Sequence, residues 1–340
     1  MGTAVADGRV AYGRQNRPEE VSGALAFAAG IHSDQRFASI FVTASDSLRL
    51  HMRRYGSRVA STLPVVCLPG LARTAADFHS LAAALAADPA KPRLVLALDY
   101  RGHGRSEYDR NPDNYTLPVF LADLSAVLTA LEIAPGVFLG TSYGGLLAMM
   151  LAVHRPTAIA GVILNDIGPV MEPPGLVRIK SNVGKLPIPR SFEEGAEILR
   201  WWFDAQFPKL APQDWIAFAQ RTWREHGGRF MPDYDPKLAR MLQGADLQHP
   251  PTLWNHFDAL TRVPLMVLRG ANSDLLAPIT LQAMLSRRNE LEVAIVSDQG
   301  HAPLLCESKL IRRIAAFVAS CDPLAVTATI PPSQLDGNAT

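Results

Sequence analysis

Short, unbroken apolar runs recur along this chain: Val65 to Leu68, Leu94 to Leu98, Val137 to Leu139, Val162 to Leu164, Leu265 to Leu268 and Val293 to Val296. Runs this short and this uniformly apolar predict strands covered on both faces, as in a parallel sheet. The segments between them carry helical spacing. Phe78 to Ala87 is one, and Val119 to Leu131, with Leu121, Leu124, Leu128 and Leu131 on one stripe, is another. Alternation of this kind predicts a parallel sheet with helices on its faces. Ahead of it, Ser39 to Thr43 and Leu48 to Arg53 predict two antiparallel strands joined by a turn at Ala44, Ser45 and Asp46.

The alternation breaks once. From Met171 to about Asn255 no good strand run occurs, and Ser191 to Ala205, Pro212 to His226 and Pro236 to Gln243 read as helices. Glu193 and Glu194 open the first of these, where the positive end of a helix favours acidic side chains. All five tryptophans fall between Trp201 and Trp254. The expected organisation is therefore a flexible arm (1–36), a core in two parts (37–170 and 259–321), an inserted helical subdomain (171–258) and a disordered tail (322–340).

Composition changes this picture little. The 340 residues are 48% hydrophobic with a formal net charge of +1, which suits a globular core and gives no basic patch for nucleic acid or an anionic membrane. Cys67, Cys306 and Cys321 are too few and too widely spaced for a disulfide framework or a metal knuckle. The apolar patch Val21 to Ala29 follows Glu19 and Glu20 rather than a basic segment, so no secretory signal is expected. With no run long enough to span a bilayer, a soluble cytoplasmic protein acting on a small molecule is the expectation.

The strongest chemical feature is Gly140-Thr141-Ser142-Tyr143-Gly144, directly after a predicted strand and directly before a helical pattern. Gly-x-Ser-x-Gly in that context is the nucleophile elbow, a strained turn whose flanking positions leave no room for side chains. A serine hydroxyl needs a base. His301, in the loop after the last strand, is the one histidine placed for it, because that loop opens at the carboxyl end of the sheet and lies downstream of serine and acid. The orienting carboxylate is assigned to Asp274, in the loop after the strand ending at Leu268; Asp166, after the sixth strand, is the rival, and Asp298 is read as a turn cap. The loop Leu68-Pro69-Gly70-Leu71-Ala72 supplies the oxyanion hole, with the N–H groups of Leu71 and Tyr143 as donors and Gly70 admitting the substrate. In Asp99 to Ser106, Gly102 and Gly104 lack the third glycine of a dinucleotide fingerprint, since Glu107 stands there; a tight packing loop is expected.

These residues resemble the α/β-hydrolase superfamily, in its single-chain bacterial branch with a helical cap, over about residues 37–320. The resemblance implies an α/β-hydrolase fold: a mostly parallel eight-stranded sheet flanked by helices. It also implies Ser-His-Asp chemistry without a metal or organic cofactor. Ser142 departs from the aspartate nucleophile of epoxide hydrolases and haloalkane dehalogenases. Pro69-Gly70 replaces the His-Gly of many members, and Arg73-Thr74 stands where carbon–carbon hydrolases carry an asparagine. The expected reaction is hydrolysis of a carboxylic ester or lactone through an acyl-enzyme. A carbon–carbon hydrolase acting on a β-diketone or ring-fission product is the alternative, and a non-enzymatic ligand sensor the third possibility. Arg73, Trp201 and Trp202 are the side chains expected to shape the substrate pocket.

Overall fold

The computed structural model describes residues 36–244 and 246–323. The expected arm and tail therefore lie outside the described residues, except for Arg36 and 322–323. The strands are β1 (Ala38–Thr43), β2 (Arg49–Tyr55), β3 (Val65–Leu68), β4 (Val95–Leu98), β5 (Gly136–Thr141), β6 (Ile159–Asn165), β7 (Trp223–His226), β8 (Arg229–Pro232), β9 (Leu265–Gly270) and β10 (Glu292–Val296). The helices are α1 (His79–Ala86), α2 (Leu117–Ala130), α3 (Tyr143–His154), α4 (Pro173–Asn182), α5 (Phe192–Phe203), α6 (Pro212–Gln220), α7 (Trp254–Asp258), α8 (Pro278–Arg287) and α9 (Ser308–Ser320).

Eight strands form one sheet in the order β1-β2-β4-β3-β5-β6-β9-β10, with β1 and β2 antiparallel and every other neighbour parallel from β4 onward. All four residues of β3 and of β4 are buried, as continuous apolar runs require of a sheet covered on both sides. One core layer joins α2, α3, α7 and α8 to one face; the other packs α1 and α9 against the opposite face through Leu81, Leu85, Ile314 and Phe317. The sheet matters to function because β3, β5, β6, β9 and β10 run parallel, so the loops after them open at one edge.

The chain leaves the sheet after β6 and returns at β9. This insert contains α4 to α7 and its own small core of Leu199, Phe207, Trp215, Ala219 and Trp223. Ser191 caps α5 by accepting the Glu194 N–H at 3.2 Å, and the Glu194 carboxylate reaches back to the Arg190 N–H at 2.6 Å. The insert is less helical than its sequence predicts. The expected helix from Pro212 stops at Gln220, and Trp223–His226 pairs with Arg229–Pro232 as a hairpin. Gly227 and Gly228 cause this: both take positive φ (59° and 74°), the conformation of a two-residue turn that matches strand twist. Pro236–Leu242 is a 3-10 segment rather than an α-helix.

Candidate active site

Ser142 occupies the turn between β5 and α3 with φ 50° and ψ −114°, a conformation most residues avoid. The flanking glycines are a steric necessity. A side chain at Gly140 would strike the backbone of Gly144, and one at Gly144 would strike the Leu68 carbonyl. The Ser142 N–H is held by the Asn165 carbonyl at 3.0 Å, which fastens the elbow to the end of β6. Asn165, fully buried, donates its amide to Thr141 Oγ1 and to the Pro303 carbonyl, both at 3.1 Å, and so links the elbow to the loop of His301.

The Ser142 Oγ lies 2.9 Å from His301 Nε2, and His301 Nδ1 lies 2.8 Å from Asp166 Oδ2. Asp166 is the carboxylate the structure puts against the imidazole, in place of Asp274. It sits at the end of β6, with its own φ at 56° and no exposed surface. Its Oδ1 accepts the Gly270 N–H at 2.8 Å, and its Oδ2 also accepts the Ser273 hydroxyl at 2.6 Å. Asp274 has a different partner. Arg178 of α4 grips it with two short bonds, Nε to Oδ2 at 2.6 Å and Nη2 to Oδ1 at 2.7 Å. Partial burial raises the Asp274 pKa, but the Arg178 guanidinium outweighs this and holds it below the ordinary value. The physical reason for the correction is that a fixed cation from the insert captures Asp274, while Asp166 stands on the strand next to the elbow strand.

The loop after β3 lies beside the serine: a Cβ built on Gly70 would be 3.7 Å from Ser142 Cβ. Tyr143 is the first residue of α3, so its N–H has no acceptor inside the helix and is free to face a ligand. Leu71 follows Gly70 in the same loop, and Ala72 takes φ 60°.

The expected pocket side chains fare differently. Arg73 is not a free cation. Its Nε and Nη2 bind Asp77 at 2.7 and 2.5 Å, its Nη1 donates to Thr222 of the insert at 2.8 Å, and its guanidinium covers the Phe218 ring. Trp201 is 78% exposed and stands edge-on to Trp202 at 5.2 Å, so its surface is given to solvent rather than to a wall of the site. Asp298, the other acid near His301, takes φ 59° in its turn and pairs with Lys209 at 3.0 Å. The insert reaches the site through a residue no sequence signal marks. Gln206 accepts the His301 backbone N–H through its side-chain oxygen at 2.8 Å, while Asn272 donates to its main-chain carbonyl at 3.3 Å. Among the described residues, no cluster of His, Cys, Asp and Glu is arranged to hold a metal ion.

A relay of hydroxyl, imidazole and carboxylate at these distances can draw the serine proton toward the ring as the oxygen attacks an electrophile. Residues 65–313 match the model of the alpha/beta hydrolase family. The chain belongs to that family. This hydrolase is 33% identical over 248 residues to the 3-hydroxybutyrate-oligomer hydrolase of Cupriavidus necator, covering 70% of this chain and 82% of the relative. The sn-1-specific diacylglycerol lipase ABHD11 of Mus musculus is 38% identical over 116 residues, 34% of this chain and 36% of the lipase. Among solved structures, an alpha/beta hydrolase from Novosphingobium aromaticivorans superposes with a TM-score of 0.77 at 38% identity, over 83% of this chain and 98% of that one. The hydrolase thus has ester-cleaving relatives, and among its described residues no helix is long and apolar enough to cross a membrane.

Proposed function

We propose that this hydrolase cleaves carboxylic esters through an acyl-enzyme, with Ser142 as nucleophile, His301 as general base and acid, and Asp166 as the orienting carboxylate. The observation that carries the reading is the unbroken relay from Ser142 Oγ through the two His301 nitrogens to Asp166, with spacings of 2.9 and 2.8 Å. His301 takes the Ser142 proton as Oγ bonds to the ester carbonyl carbon. The tetrahedral oxyanion is met by the N–H groups of Leu71 and Tyr143, each such donor supplying about 3 kcal/mol to the transition state. His301 then protonates the departing alcohol, leaving the acyl group on Ser142. Water gives a proton to His301 as it attacks, and the acid is released when Oγ takes that proton back. Asp166 keeps the ring proton on Nδ1 and stabilises the imidazolium.

The substrate class we assign is a linear ester of a short hydroxy acid, the chemistry named for the Cupriavidus necator relative with which most of this chain aligns. Purified protein offered the 3-hydroxybutyrate dimer, p-nitrophenyl butyrate, a γ-lactone and a β-diketone decides the matter. The dimer and the nitrophenyl ester are expected to turn over, and Ser142→Ala is expected to lower kcat by about 10⁶-fold, as for other serine triads. Retained esterase activity in that variant would remove Ser142 from its role. Turnover of the diketone with none of the esters would replace the ester reading altogether.

A further inference from the structure

We propose that His103 is a positioning residue for the oxyanion loop: its neutral ring accepts the Ala72 N–H and thereby sets the direction of the adjacent Leu71 N–H. This rests on the assignment of Leu71 as an oxyanion donor. His103 belongs to the Arg101-Gly102-His103-Gly104 loop, which the relay of Ser142, His301 and Asp166 leaves unused.

The tautomer follows from the partners. His103 Nδ1 is 2.9 Å from the Arg101 carbonyl, which can only accept, so Nδ1 carries the proton. Nε2 then holds a lone pair, and the Ala72 N–H points at it from 3.3 Å. A charged ring would set an N–H against an N–H there. The ring has no exposed surface, and burial pushes its pKa down to about 4, although Asp99 and Asp235 pull the other way.

Ala72 needs such an anchor. With φ at 60° it occupies the left-handed region that L-residues with a Cβ rarely enter. The other end of the loop is tied as well, because the Tyr100 hydroxyl donates to the Pro69 carbonyl at 3.1 Å. Tyr100 and His103 stand edge-on at 5.5 Å, and both pack on Phe120. Pro69 and Ala72 are therefore pinned by one aromatic group, and Gly70 and Leu71 span the gap beside Ser142. His103 is itself held by its N–H to the Tyr100 carbonyl at 2.9 Å, and its neighbours are tied to the insert by the Gly104 N–H on the Asp233 carbonyl at 2.8 Å and the Asp235 N–H on the Gly102 carbonyl at 2.7 Å.

Two variants separate positioning from packing. His103→Phe keeps a ring but removes both nitrogens; His103→Gln keeps an amide oxygen near the site of Nε2. The Phe variant is expected to lose about 10- to 100-fold in kcat with KM nearly unchanged, because a misdirected donor forfeits part of the 10²–10³-fold that a deleted one costs. Inhibition by an alkyl boronic acid, whose adduct on Ser142 carries the tetrahedral oxygen, should weaken by a similar factor. The Gln variant should recover most of both losses. Wild-type kcat and boronate affinity in the Phe variant would overturn the proposal. So would equal losses in both variants together with a shift in the acid limb of the kcat/KM profile. An independent check needs no substitution to fold: ¹⁵N spectra of histidine-labelled wild-type protein should show His103 protonated on Nδ1 alone at pH 7, and the opposite tautomer would refute the argument. Labelling of Ser142 by a fluorophosphonate without turnover of any ester would instead count against the substrate assignment and leave His103 in place.

Discussion

Replacing each candidate acid by its amide should separate their roles sharply. Asp166 receives three hydrogens: Gly270 N–H on Oδ1, and the Ser273 hydroxyl and His301 Nδ1 on Oδ2. An asparagine there must face one donor with its own NH₂. If the NH₂ takes the Oδ1 side it meets the Gly270 N–H, a backbone donor in a strand that cannot turn away, at a cost of about 1–3 kcal/mol. If it takes the Oδ2 side, the Ser273 hydroxyl can rotate and His301 can move its proton to Nε2. The second arrangement is cheaper, and it disables catalysis, because a protonated Nε2 donates to Ser142 instead of accepting from it. The expected loss for Asp166→Asn is about 10⁴-fold in kcat, near 5.5 kcal/mol, with a modest fall in stability. Asp274→Asn weakens the bidentate grip of Arg178, a pair about four-fifths buried on each side. That should cost about 1–3 kcal/mol of stability and less than about tenfold in kcat, since the pair lies outside the relay. Steady-state hydrolysis of p-nitrophenyl butyrate, alongside urea unfolding of both variants, gives the two numbers. Near-normal turnover in Asp166→Asn with a thousandfold loss in Asp274→Asn would refute the reasoning.

Gln206→Leu removes the acceptor from the His301 N–H while keeping the side chain's bulk. A drop of about 3- to 30-fold in kcat is expected from the lost orientation of the imidazole, and unchanged progress curves would count against the contact. Asp233 gives a pH signature: burial, reinforced by Asp99, raises its pKa to about 6 in the folded chain. Because the folded state holds this proton more tightly than the unfolded state, its contribution to stability falls as pH rises from about 4 to 6. Asp233→Asn should therefore stabilise the protein by about 1–3 kcal/mol at pH 8 and have little effect near pH 4, as read from urea midpoints; a benefit confined to low pH would contradict the assignment.

What the sequence discloses is the part fixed by local physics. The runs in β3, β4, β5, β6 and β9 are uniformly apolar because both faces of those strands are covered, so pattern and structure coincide, whereas β10, at the sheet edge, leaves Ile295 53% exposed. The elbow is legible for a similar reason, since Gly140 and Gly144 have no room for a Cβ whatever surrounds them. The hairpin of the insert escapes notice because Trp223 to His226 continues a helical stripe, and only the paired glycines beyond it redirect the chain. The acid is the instructive case. Asp166 and Asp274 both follow strands at the active edge, and the choice between them depends on Arg178, a cation 96 residues before Asp274. No periodicity reports a pairing across that distance. Gln206 is hidden in the same way, 95 residues before the backbone it holds.

The same long-range pairings give the insert a role in shaping the site. Four of its ties to the core fall on the loops around the candidate site: Gln206 on His301, Lys209 on Asp298, Arg178 on Asp274 next to Ser273, and Thr222 on Arg73 beyond Leu71; others run to Gly102, Gly104 and Tyr115. A sheet edge positions Cα atoms, but a hydrogen-bonded relay needs side chains held within about 0.5 Å. Contacts from the insert supply that second constraint, so changes in it should alter turnover even at positions that never touch a substrate. Ser142 is the exception, because the Asn165 carbonyl and two obligatory glycines hold it from within the core itself. Ser142 is accordingly set by the sheet, while His301 and the neighbours of Asp166 are set jointly by sheet and insert.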